Sequence, residues 1–429
     1  MSTRTTISST ILIVGGGAAG MSAALAASSN GIGTTIIDDN PRLGGQIWRA
    51  ELGRTASPKA HALIDAIENE KIHIVNDAVV FAAPRRQSLL AETRSGTVAF
   101  DYEKLIITTG ARERFLPFPG WTLPNVLGAG GLQALVKGGL SLKGKRIVVA
   151  GTGPLLLAVA KYLRSKGAKV SAIVEQAPQR KLNRFALNLV RSPRKLFQAA
   201  ALRASLLGIP YLANSWVTEV KCRSPRVSKD VTSDSTMNSL LITLNRNGKA
   251  QAMECDYLAC GFHLVPNTEL VSLLGCDLTD GLVDVDEFQL TSRENVYCAG
   301  EPTGIGGVES SLIEGAIAGH AAAGNGKEAR ALFQKRDRTR NFGVELNTAF
   351  ALRHELRHLS DPQTVVCRCE DVQYEKLAAF GDWRTAKLQT RCGMGPCQGR
   401  VCGAAVEFIF GWTPDSVRPP IFPVKLENL

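Results

Sequence analysis

Two stretches of this chain repeat one alternation of apolar and polar positions. Residues 11–14, Ile-Leu-Ile-Val, form a short unbroken apolar run, the signature of a strand buried on both faces. It meets Gly15-Gly16-Gly17-Ala18-Ala19-Gly20, and an alanine-rich helical segment, MSAALAASSN, follows. A second apolar run, TTIIDD, closes at Asp38 and Asp39. Residues 144–176 repeat the plan, with GKRIVVA, then Gly151-Thr152-Gly153-Pro154-Leu155-Leu156, an alanine/leucine helix, and KVSAIVE ending at Glu175. The pattern predicts an α/β chain with two Rossmann-like units, each a strand, a glycine-rich turn, a helix and a second strand.

The first turn carries every feature a dinucleotide needs. Gly15 permits the tight turn, Gly17 lets the backbone approach a pyrophosphate, and Gly20 lets helix and strand pack closely. Ala18 and Ala19 open the helix, whose N-terminal N–H groups and partial positive charge face the phosphates. Asp38 stands 18 residues past Gly20, at a strand end where a carboxylate accepts hydrogen bonds from a ribose, and Asp39 is the alternative if the strand ends one residue later.

Three further segments decide which dinucleotide this turn holds. Arg42-Leu43-Gly44-Gly45-Gln46 resembles the segment that passes the flavin side of FAD in the two-dinucleotide-domain flavoproteins of the glutathione-reductase class. KLIITTGARE (104–113) resembles the second FAD contact of that class, with Thr108, Thr109 and Gly110 at the turn, and NVYCAGEPTGIGG (295–307) resembles the third, through Gly300 and Glu301. The class usually has an aspartate where this chain has Glu301, one methylene longer. The resemblance implies FAD as the first cofactor.

The second turn is degraded. Gly151 and Gly153 are present, but the third glycine position is Leu156, and a side chain there is expected to push helix from strand and spoil the phosphate geometry. Glu175 would favour a ribose 2′-hydroxyl and repel a 2′-phosphate. The expectation is a vestigial domain or one holding an adenine nucleotide structurally. No cysteine pair follows Gly45 or lies in the second domain's first helix, where disulfide reductases of the class keep theirs, so disulfide exchange is not the expected chemistry.

Composition narrows the picture without redirecting it. The 429 residues, 45% hydrophobic and 21% charged, suit a globular chain of two or three domains. The N-terminal MSTRTTISST has no signal-peptide pattern and no apolar run is long enough for a bilayer, so the expected location is cytoplasmic, with inner-membrane association arising through a complex. The net charge of +11 is not interleaved with aromatics, which argues against nucleic acid. The densest basic stretch, 179–206, carries Arg180, Lys181, Arg184, Arg191, Arg194, Lys195 and Arg203 with no acid, and reads either as a solvated helix face or as a docking surface.

Of ten cysteines, Cys222, Cys255, Cys260, Cys276 and Cys298 are scattered as core residues would be. The rest crowd the tail as Cys367-Arg368-Cys369-Glu370 and, 22 residues on, Cys392-Gly-Met-Gly-Pro-Cys397-Gln-Gly-Arg-Val-Cys402. Cys367 and Cys369, two apart on an extended segment, point to one side. Gly393, Gly395 and Gly399 allow amides to turn toward sulfur and tune a cluster. An iron–sulfur cluster fits this spacing better than structural zinc, whose knuckles are usually C-x₂₋₄-C.

The tail resembles the [2Fe–2S] domain of the bacterioferritin-associated-ferredoxin type, in the variant attached to certain flavoprotein dehydrogenases. In that pattern, C-x-C-E … G-M-G-x-C-Q-G-R-x-C, the ligands fall on Cys367, Cys369, Cys397 and Cys402, with Cys392 as a substitute. ARERFLPFPGWTLPNVLGAGGLQALVK (111–137) and GEPTGIGGVESSLIEGAIAG (300–319) extend the likeness to the α-subunit group of bacterial opine oxidases, hydroxyproline and proline dehydrogenases and hydrogen cyanide synthase. The resemblance implies an electron-relay α subunit. Its partner would be an FAD-containing β subunit of the amino-acid-oxidase kind that oxidises a C–N bond, often with a small ferredoxin-like γ subunit. Alternatives are a self-contained NADH:acceptor reductase and a flavin-bearing scaffold. No catalytic residue is assigned: His263, His320, His354 and His358 join no recognisable site. The implied domains are an FAD-binding domain (1–119 and 281–325), a degraded NAD-binding-like domain (120–280), a linker (326–345) and a cluster domain (346–429). Residues 224–238 are expected to form an exposed loop.

Overall fold

A computed structural model describes residues 5–29, 31–48, 58–70, 72–190, 192–223, 239–414 and 417–429. The expected loop at 224–238 and Arg191 lie outside these. The chain divides into two compact units, one of residues 1–112, 264–344 and 415–429, the other of residues 113–263 and 345–414.

The first unit is built on a sheet whose parallel strands run in the order His73–Val75, Thr34–Ile37, Thr5–Val14, Gly96–Ile107. Val296–Cys298 adds in parallel to the last of these, and Ser88–Thr93 and Val79–Arg85 extend it antiparallel. The central strand is wholly buried at Ile11, Leu12 and Ile13: Ile11 and Ile13 pack with helix residues such as Met21 and Ala24, and Leu12 on the other face packs with Leu89, Phe100 and Leu270. Helix Ala18–Ser28 packs against helix Gly307–Ala322 through residues without bulk. A Cβ on Gly315 would strike the carbonyl of Ala19, and one on Gly319 the carbonyl of Ala23. The 326–345 stretch, expected as a charged connection, is helical, in Gly326–Ala331 and Phe333–Ala349.

The second unit repeats the plan with parallel strands in the order Tyr211–Leu212, Lys169–Glu175, Arg146–Thr152, Tyr257–Phe262, Val126–Gly128. An antiparallel sheet of Ser215–Arg223, Ser239–Arg246 and Lys249–Cys255 joins it. The cysteine-rich segment belongs to this unit. It is tied to it by Trp121 Nε1 donating to the Val365 carbonyl at 2.6 Å and by Arg114 donating to the Ala404 carbonyl at 2.9 Å. Its own small core gathers Val366, Val372, Leu377, Trp383, Ala386 and Val406 around three of the cysteines.

Candidate functional site

In the first unit the strands ending at Val14, Ile37, Ile107 and Cys298 bring their carboxyl ends together, and the residues singled out from sequence follow those ends. In an open parallel sheet this edge is where a dinucleotide binds. The turn is held by backbone bonds from Gly15 N to the Ile37 carbonyl and from Gly44 N to the Gly16 carbonyl, both 2.8 Å. Thr108 clamps it from the next strand, its hydroxyl donating to the carbonyls of Val14 at 3.0 Å and Gly15 at 2.8 Å. Gly20 cannot be replaced without driving a Cβ into the Gly15 carbonyl. The Gly17 α-carbon, by contrast, faces open space, with nothing within 4 Å of where a side chain would begin.

Of the two candidate ribose acids, Asp38 is buried and turned inward, while Asp39 is exposed. Asp38 accepts from Gly16 N through one oxygen and from Asn40 N (2.7 Å) and Nδ2 (2.8 Å) through the other. Carboxylate oxygens carry two lone-pair directions each, so acceptor capacity remains for ribose hydroxyls. Gly45 lies against the Gly17 α-carbon with φ +57°, which brings the Gly44-Gly45-Gln46 segment beside the turn. Thr109 and Gly110 are locked to Asn267: the Thr109 hydroxyl donates to its carbonyl at 2.7 Å, and Asn267 N donates to the Gly110 carbonyl at 3.0 Å.

Gly300 and Glu301 complete the edge through a residue that the sequence pattern conceals. Glu314, buried in helix Gly307–Ala322, accepts from Gly300 N at 3.0 Å and the Thr303 hydroxyl at 2.9 Å, and pairs with Arg340 at 2.7 Å. Its helical spacing within an apolar segment was the available signal. Glu301 accepts from Gly307 N at 3.0 Å through Oε1, whereas Oε2 is buried without a partner. Burial pushes this carboxyl up to about 7, against the pull of the Gly307 amide. An orphaned buried oxygen, an open glycine and an inward carboxylate around one strand edge fit a flavin dinucleotide.

The second edge is furnished differently. Leu156 is fully buried under its helix, Pro154–Ser165, and Gly261 on the neighbouring strand provides the room, a Cβ there lying 3.4 Å from Leu156 Cδ2. The helix therefore forms despite the leucine. Glu175 is buried and faces four donors: Gly153 N (2.7 Å), Ala177 N (2.8 Å), the Thr152 hydroxyl (2.9 Å) and the Tyr211 hydroxyl (3.5 Å). Burial still pushes it up to about 7. The basic stretch folds as helices Gln179–Leu189 and Pro193–Ala204, and Leu187, Val190 and Phe197 stand exposed among its cations.

In the tail the sulfurs of Cys367, Cys392 and Cys402 lie within 4.8 Å of one another and are buried. Cys397 is flanked by Cys402 on one side and Cys369 on the other, so the remaining two thiols lie beside this group. The structure thus brings Cys392 into the group, at its buried end. Donation from Cys392, then Cys402, pushes the Cys367 thiol down to about 2, with the Gly393 and Glu370 amides also facing it. Cys397 is lowered to about 5, mainly by Cys402, with the Val401 and Gly399 amides adding to it. Neighbouring thiols are the largest cause of both shifts and push Cys392 and Cys402 upward in turn. Converging sulfurs with backbone amides beside them are a donor set that suits a metal cluster. Gly395 is needed because a Cβ would collide with Cys369.

Two Rossmann-like units with a flavin-type edge on the first define an oxidoreductase of the two-dinucleotide-domain class. The chain belongs to the pyridine nucleotide-disulphide oxidoreductase family, which matches residues 9–323. It is similar to hydrogen cyanide synthase subunit HcnB of Pseudomonas protegens, at 30% identity over 87% of this chain and 86% of that one. It is also similar to an opine oxidase subunit from Rhizobium meliloti, at 28% identity over 94% of this chain and 83% of that one. Among solved structures, L-proline dehydrogenase from P. horikoshii shares the fold with a TM-score of 0.68 at 16% identity, covering 100% of this chain and 81% of the other. The thioredoxin reductase of T. acidophilum shares it with a TM-score of 0.56 at 23% identity, covering 74% of this chain and 98% of the other. No described helix is long and apolar enough to cross a membrane.

Proposed function

We propose that this chain is the electron-relay subunit of a hetero-oligomeric, FAD-dependent amino-acid or opine dehydrogenase. In this reading a partner β subunit oxidises a substrate C–N bond, and this chain carries the electrons onward. The observation that carries the reading is an open flavin-type edge on a chain that also holds a five-thiol cluster. The hydrogen cyanide synthase and opine oxidase relatives are themselves named as subunits, which supports it. No cysteine precedes Cys222, so the first turn has no thiol pair with which to reduce a disulfide.

The first edge would hold FAD with Gly17 leaving room for the pyrophosphate, Asp38 accepting from the ribose and Glu301 Oε2 receiving a hydroxyl of the ribityl–phosphate region. Thr108 fixes the turn, and Glu314 fixes the loop that presents Glu301. Cys367, Cys369, Cys397 and Cys402 would hold a [2Fe–2S] cluster, with Cys392 behind them. When bound, FAD supplies the exchange between two-electron and one-electron chemistry and the cluster a one-electron carrier.

The test is to purify the chain anaerobically and count flavin and iron, then replace each tail cysteine by serine. The reading expects one FAD, two irons, loss of iron and of the reduced cluster's EPR signal at the four named positions, and retention of both in Cys392→Ser. Stoichiometric zinc without iron would remove the relay. Loss of the cluster in Cys392→Ser with retention in Cys402→Ser would overturn the quartet.

A further inference from the structure

The geometry points to residues 350–353 as a built-in occupant of the second dinucleotide site, closing it to nicotinamide nucleotides. This inference concerns the second unit alone and does not rest on the relay reading. In a doubly wound sheet the dinucleotide lies across the carboxyl ends of the central strands, its pyrophosphate on the N-terminus of the first helix. Here those strands end at Thr152, Glu175 and Phe262. The chain itself crosses all three.

The Phe350 carbonyl accepts from the Thr152 hydroxyl at 3.0 Å and from Gln176 Nε2 at 3.4 Å, and it lies 3.1 Å from His263 Nε2. One backbone oxygen therefore sits over the ends of three adjacent strands. Gln176 Nε2 also donates to the Ala351 carbonyl at 3.2 Å, and its Oε1 accepts from Arg353 N at 3.2 Å, as a paired strand would. The Arg353 guanidinium then donates to the Gln176 carbonyl at 3.3 Å and to Asn214 Oδ1 at 2.8 Å, and stacks 4.0 Å from the Trp216 ring centroid. The Phe350 ring is 6% exposed, packed with Ala177, Leu182 and Phe185, and its Cγ lies 4.0 Å from where a Gly153 side chain would begin. Gly153 is the counterpart of Gly17, the position a pyrophosphate approaches.

Most of the phosphate-binding amides are also spent. Gly153 N is bonded to Glu175, Pro154 has no N–H, and Leu156 N donates to the Gly153 carbonyl at 3.1 Å. The Glu175 carboxylate, which elsewhere would receive a ribose, is filled by four donors of its own chain. The ring thus occupies the approach to Gly153, the carbonyl covers the strand ends, and the ribose acid is taken up by its own chain.

The experiment is calorimetric titration of the full chain with NADH and with ADP-ribose, in wild type, Phe350→Ala, Phe350→Leu and the double variant Phe350→Ala/Gln176→Ala. Retained flavin and an unchanged circular dichroism spectrum certify the fold. Wild type and Phe350→Leu are expected to show no saturable binding at millimolar ligand, and the double variant a gain of at least about tenfold over wild type, the size of one or two recovered contacts. Micromolar binding of either ligand to wild type overturns the proposal, as does the absence of any gain in a folded double variant. The readout is binding rather than electron transfer, so a failed relay would leave this result standing.

Discussion

The two glycine-rich turns share a backbone plan and differ in what faces the third residue of each. Gly17 looks into open space; Gly153 looks at Phe350. The acids at the ends of the second strands differ in the same sense. Asp38 reaches Gly16 N and keeps capacity, whereas Glu175, one methylene longer, reaches Gly153 N and is saturated. The comparison teaches that a fingerprint lost at one position is not what closes a site. Leu156 is accommodated by Gly261, and the closure comes from a segment nearly two hundred residues downstream.

The sharpest break between the turns should come from adding a side chain to each. Gly17→Val is expected to abolish FAD binding, read as the flavin absorbance of purified protein, because the side chain fills the space left for the pyrophosphate. Gly153→Val should leave the flavin content unchanged. A variant Gly17→Val with full flavin would place the cofactor elsewhere.

A smaller effect separates the two acids by pH. Burial holds Glu175 near 7, above its ordinary 4.5, so the fold favours the neutral acid. Its contribution is fully present at low pH and is lost as pH rises from about 4.5 through about 7, a change on the order of 3 kcal/mol. Glu175→Gln should flatten that part of the stability curve, measured by urea denaturation between pH 4.5 and 8. It should also lower stability throughout, since an amide NH₂ would face donors. An unchanged pH slope would show that the wild-type carboxylate is ionised across the range.

The smallest effect expected is at Glu301. Removing one acceptor facing the ribityl region costs about 1–1.5 kcal/mol, so Glu301→Ala should weaken FAD binding roughly tenfold in apoprotein titrations. Unaltered affinity would mean that Oε2 has no hydroxyl partner in the holoprotein.

What could be read from sequence was local. Gly15, Gly17, Gly20 and Asp38 stand within one βαβ unit, and each is recognisable because a tight turn, a close approach and a strand-end acid leave fixed spacings. Thr108 and Glu301 became legible through resemblance, since nothing in their own segments shows that Thr108 meets Gly15 or that Gly300, before Glu301, lies beside Ala19. Glu314, Gly315 and Gly319 were hidden inside an ordinary helical pattern, because their roles depend on which helix lies opposite. Phe350 carried no signal at all. A phenylalanine at the end of a polar helix looks like any core residue until the strands it covers are known. Cys392 was given a substitute's place by the family pattern, and its burial within 4.8 Å of Cys367 and Cys402 depends on how the tail folds.

If only the first turn is a working dinucleotide site, electrons do not enter from a nicotinamide. Anaerobic addition of NADH to the flavin-loaded chain, followed by its visible spectrum, tests this directly. The account predicts that the oxidised flavin band is unchanged by excess NADH or NADPH and bleaches on addition of dithionite. Rapid, stoichiometric bleaching by NADH would contradict it.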